Sequence, residues 1–125
     1  MAESIIAVAD GDYRFDLDVV RAAVADRWPA AEFIPAGGRV AAVSAGQFEI
    51  PEPGVGATVL LDVDLGGRSL GVEAGDPTDA ADVIAWVTRL PGFPGDGSVI
   101  LAEWAIDFVP LAPGTSTATL LDIQA

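Results

Sequence analysis

The stretch TVLLDVDLGGRSLGVE, residues 58–73, decides how the chain is read. Two alternating segments, 58–65 and 68–73, flank Gly66-Gly67, and glycine tolerates the positive φ that a two-residue hairpin turn demands. Such a loop sets Leu65 opposite Arg68, Val63 opposite Leu70 and Leu61 opposite Val72. Apolar side chains then meet on one face, and Asp62, Asp64, Ser69 and Glu73 share the other. A slip of one residue would bury Asp62 and Asp64, so burial fixes the register.

The flanking sequence extends this hairpin in both directions. On the C-terminal side, Asp76-Pro77-Thr78-Asp79 combines an N-cap, a proline at the first helical position and an acid two residues later. It predicts a helix with Ala80, Val83, Ile84, Val87 and Leu90 as its stripe, ending at Pro91-Gly92. Residues 98–111 then read as one long strand with Ile100, Trp104, Ile106 and Phe108 inward or half-buried against Glu103 and Asp107, and Thr115 or Ser116 caps a short terminal helix. On the N-terminal side, Ser4–Ala9 is a first strand ended by Asp10-Gly11-Asp12. Asp16 caps a helix in which Leu17, Val20, Val24 and Trp28 form one stripe, stopped by Pro29. Residues 31–35 and 47–51 are strand pieces. Residues 36–46 give no clear reading, and Gly54-Val55-Gly56 is a loop rather than a phosphate cradle because no helix follows it.

The element order is β-α-β-β-β-β-α-β with a short final helix. It predicts one α+β domain over residues 1–125: a single, mostly antiparallel sheet with two helices packed on one face, ferredoxin-like or a related two-layer sandwich. With 125 residues, 51% hydrophobic, the chain has ample core material.

Charge and missing residue types bound the function. Six Lys+Arg against nineteen Asp+Glu give a net charge of −13, and all the basic residues are arginines. Nucleic acid and anionic lipid are therefore poor partners, whereas a basic protein is a natural one. The chain lacks histidine, cysteine and lysine, which removes Ser-His-Asp and Cys-His nucleophiles, Schiff bases, thiolate or imidazole metal sites and disulfides. This composition describes a binding domain better than an enzyme. No stretch has a signal-peptide pattern or a membrane-length apolar run, which leads us to expect a cytoplasmic protein.

By alternation, the solvent side of the sheet should carry Glu49, Asp62, Asp64, Glu73, Glu103 and Asp107. It reads either as a solvated surface or as a docking face for a basic partner, in the manner of an inhibitor or immunity protein that captures a basic target quickly. A second class is a divalent-metal or small-molecule binding protein or enzyme that works through carboxylates. For it, Asp10, Asp12 and Asp16, with Asp18 nearby, offer oxygen ligands to Ca²⁺ or Mg²⁺, although the spacing is not that of an EF-hand and Asp16 already has a capping role. A third class is a homo-oligomer joined through exposed strand edges. No cofactor is implied.

Overall fold

A computed structural model describes residues 2–51 and 58–124. Gly54-Val55-Gly56 lies outside them. The strands are β1 (Ala2–Val8), β2 (Glu32–Pro35), β3 (Ser44–Ile50), β4 (Val59–Asp64), β5 (Ser69–Ala74), β6 (Val99–Ala102) and β7 (Val109–Pro110). The helices are α1 (Leu17–Arg27) after β1, α2 (Pro77–Val87) after β5 and α3 (Thr117–Gln124) after β7. All strands join one antiparallel sheet in the order β2-β3-β4-β5-β1-β6-β7. Since β5 and β6 both run antiparallel to β1, they are parallel to each other, and the β5-α2-β6 crossover straddles β1. The β1-α1-β2 connection reaches the far edge, with three strands between its ends.

The expected hairpin register holds. Leu61 pairs with Val72 and Val63 with Leu70, and all four are buried. The turn is wider than two residues, with Gly67 N donating to Asp64 O at 2.9 Å and the strands resuming at Ser69. Contact with the loop after β1 explains this geometry. Phe15 N donates to Gly67 O at 2.7 Å, and the Arg68 guanidinium donates to the carbonyls of Gly11 and Tyr13 at 2.9 and 3.1 Å. Gly67 has φ +71°, and a Cβ there would lie 2.7 Å from Phe15 O, so glycine is required twice over.

Alternation continues across the sheet. Ile6, Phe48, Ile50, Val59, Val99 and Leu101 join the hairpin's buried residues in one apolar cluster. The same cluster contains Val20 and Val24 of α1 and Ala81, Ile84 and Val87 of α2. Residues 36–46 resolve into a 3₁₀ turn (Gly38–Ala42) and a β-bulge between Ser44 and Gly46. Gly46, at φ +153°, is the tightest point, because a Cβ there would meet the Phe33 ring at 2.5 Å.

Both long helices start where the sequence places them. The Asp16 carboxylate accepts from Asp18 N and Val19 N, and that of Asp76 from Thr78 N. α2 ends at Val87, a turn earlier than Pro91, and the remaining residues tighten into i→i+3 bonds from Arg89 to Trp86 and Leu90 to Val87. Ser116 Oγ accepts from Thr119 N and starts α3.

The predicted strand 98–111 is corrected. It stops at Ala102, because Glu103 adopts a left-handed φ of 62° and turns the chain out of the ladder. Trp104 swings inward, is buried, and donates from Nε1 to Leu120 O at 2.9 Å. Val99 and Leu101 face the core in register with Val8 and Ile6. Ile106 and Phe108, expected inward or half-buried, are exposed. Alternation cannot be carried across a residue that reverses the backbone.

Candidate functional site

On the second face of the sheet, register rather than sequence proximity gathers the carboxylates. Glu32 pairs with Glu49, Glu49 with Leu60, Leu60 with Glu73, and Glu73 with Glu3. This row crosses five strands, roughly 19 Å at ordinary strand spacing, and holds four glutamates. Two of its pairs, Glu32–Glu49 and Glu73–Glu3, oppose like charges directly, an arrangement that destabilises a sheet.

Asp62 and Asp64 lie on the same face of β4. Asp62 is exposed, and its Oδ1 accepts from Ser44 Oγ at 2.7 Å. Asp64 Oδ2 accepts from Gly66 N at 3.2 Å, which places its carboxylate above the turn. Asp62 pairs with Gly71, where the missing side chain leaves room. The resulting depression, about 220 Å³, is lined by Glu3, Ile5, Val43, Asp62, Asp64 and Gly71 among others. Its walls mix three carboxylates with the apolar side chains of Ile5 and Val43.

Arginine is absent from every strand. Arg14 and Arg68 bond loop carbonyls, Arg89 bonds Ala85 O, Arg21 lies over the Phe33 ring and Arg27 over Trp28. Five of the six arginines thus serve backbone carbonyls or aromatic rings, and the carboxylate row has no cation built into its own strands.

Of the expected face residues, the structure brings together Glu49, Asp62, Asp64 and Glu73. Glu103 and Asp107 do not belong with them. Both sit in the segment 103–107 between β6 and β7, outside the strand alternation, because of the reversal at Glu103. Glu3 and Glu32 were missed. Their signal is cross-strand pairing, which becomes visible only once β1 is known to lie against β5 and β2 against β3.

Within the Asp10, Asp12 and Asp16 set, two carboxylates are engaged locally. Asp10 Oδ1 accepts from Gly11 N, and the Asp16 carboxylate caps α1. Among the described residues no group of three or more Asp, Glu, His or Cys side chains is placed to hold a metal ion. Among the described residues, too, no helix is long and apolar enough to cross a membrane. No protein-family model matches the chain, and comparison with curated proteins and with solved structures finds no similar one.

Proposed function

We propose that this protein is a non-catalytic binding domain whose acidic sheet face docks a basic protein, in the manner of an inhibitor or immunity protein. The observation that carries the reading is the glutamate row: like charges are held directly opposite each other on adjacent strands, with no arginine in the sheet. A partner supplying Arg or Lys side chains relieves that repulsion, so binding and stability point the same way. The depression over Gly71 suits one such side chain, with its alkyl stem against Ile5 and Val43 and its charge toward Asp62 and Asp64.

The proposal includes an architecture. β1, β4, β5 and β6 follow the ferredoxin-like order, with the β2–β3 hairpin added at one edge and α1 and α2 covering the opposite face. In this reading the helices hold the core while the acidic face stays available.

The test is affinity capture on immobilised protein, eluted at about 50 mM and then about 500 mM salt. The captured protein is then purified and titrated against defined variants. Changing Glu49, Asp62, Asp64 and Glu73 to their amides should weaken binding by at least about tenfold and flatten its salt dependence. A control with the same charge change elsewhere (Asp12, Asp26, Asp96 and Asp122 to Asn) should bind as the parent does. Equal losses in both variants would reduce the effect to net charge, and unchanged binding in the face variant would refute docking there.

A further inference from the structure

At the N-terminal end of α2 the structure encloses a second concavity, separate from the acidic face. A cavity of about 310 Å³ opens between the buried side of the sheet and the start of the helix, with Ser4, Ala74, Asp76, Ala80, Glu103 and Trp104 in its walls.

Ser4 occupies a core-facing position on β1, two residues before Ile6, and is only 4% exposed. Its side chain lines the cavity, and its hydroxyl hydrogen-bonds none of the described residues. Glu103 is the only non-glycine residue with positive φ among the described residues, and it lines this cavity.

The chemistry of the walls narrows the ligand. Two carboxylates, Asp76 and Glu103, line the cavity, and no arginine does. An anion is disfavoured despite the helix N-terminus, because the Asp76 carboxylate already accepts from Thr78 N at 2.7 Å and places its own charge there. A metal ion lacks a converging ligand set among the described residues. The Trp104 indole N–H is taken by Leu120 O, so its ring offers an apolar wall facing Ala74 and Ala80 as the other apolar surfaces.

We infer that this cavity binds a small organic cation, an ammonium or guanidinium carried on an apolar body. The body fills the space beside Trp104 and Ala80, the charge lies toward Asp76 and Glu103, and the Ser4 hydroxyl accepts from the ligand's N–H.

The test is an NMR titration with benzylammonium, benzyl alcohol and benzoate, which share a ring and differ in charge. The Trp104 indole resonance, assigned by elimination with Trp28→Phe and Trp86→Phe, should move with benzylammonium. That ligand should bind about tenfold or more tighter than either of the others, as expected for a charge selected by carboxylates. Ser4→Val fills the hydroxyl position and should abolish binding. Glu103→Gln should remove most of the preference for the cation, and Glu103→Gly, which relaxes the backbone and so guards against misfolding, should remove it as well. Equal affinities for the three ligands, a stationary Trp104 resonance, or variants that titrate like the parent would overturn the assignment. Shifts confined to the amides of Asp62, Asp64 and Glu73 would move cation binding to the sheet face and overturn it too.

Discussion

Helices α1 and α2 each run eleven residues and each begin on an aspartate that accepts the first free N–H groups. Their surroundings differ. α1 buries only Val20 and Val24, whereas α2 buries seven residues, including the acidic Asp79. α2 packs against β5 on one side and α3 on another, with Thr117 Oγ1 of α3 donating to Asp82 at 2.8 Å. α1 interleaves Asp18, Arg21, Asp26 and Arg27 with its apolar positions and keeps them exposed. Local chemistry starts both helices alike, and the neighbours decide how much of each leaves water.

The largest expected contrast is in side-chain deletion. Ile84→Ala, at a fully buried site on α2, should lower unfolding free energy by about 2–5 kcal/mol. Val19→Ala on α1, where the side chain is 42% exposed, should stay within about 0.5 kcal/mol. Urea denaturation of the two variants measures this directly, and similar losses would break the contrast. The caps should be nearly equivalent: Asp16→Ala and Asp76→Ala are each expected to lose about 1 kcal/mol by the same measurement.

The smallest effect concerns the buried acid. Burial, and then the charges of Asp76 and Asp82, hold the Asp79 carboxyl above its ordinary range. The folded protein therefore keeps that proton to higher pH than the unfolded chain does. The ionised carboxylate destabilises the fold above the raised value, and the penalty fades as pH falls toward the ordinary carboxylate range. Asp79→Asn should accordingly raise the thermal midpoint at neutral pH and lose its advantage in acid. Asp18→Asn, an exposed first-turn acid on α1 favoured by the helix dipole, should lose a few tenths of a kcal/mol instead. A matching gain in both variants would show that relief of net charge, rather than burial, governs the response.

Much of this framework is legible in the sequence because the signals are local. Gly66-Gly67 with alternation on both sides sets the central register, and Asp16 and Asp76 announce their helices within a few residues. Three features are not local. The end of β6 depends on Glu103 adopting a conformation that sequence alternation cannot signal, with the burial of Trp104 against Leu120 as its counterpart. The turn at Gly67 widens because Phe15, some fifty positions earlier, bonds to it. The acidic row is half legible. Glu49, Asp62, Asp64 and Glu73 follow from alternation near the hairpin, but Glu3 and Glu32 enter only through pairing with strands distant in sequence. The same reversal that ends β6 removes Glu103 and Asp107.

The place of β1 also has a consequence in time. β1 leaves the ribosome before either strand it pairs with, yet it lies in the interior of the sheet, between β5 and β6. Ile6 cannot meet Leu70 until the hairpin has been made, nor Leu101 until β6 has followed α2. At about 5–20 residues per second, this apolar segment waits several seconds for its partners. The acidic residues around it, Glu3, Asp10 and Asp12, keep this segment charged while it waits. The middle of the sheet is thus completed by residues far downstream of β1, and such long-range pairing is slow to form.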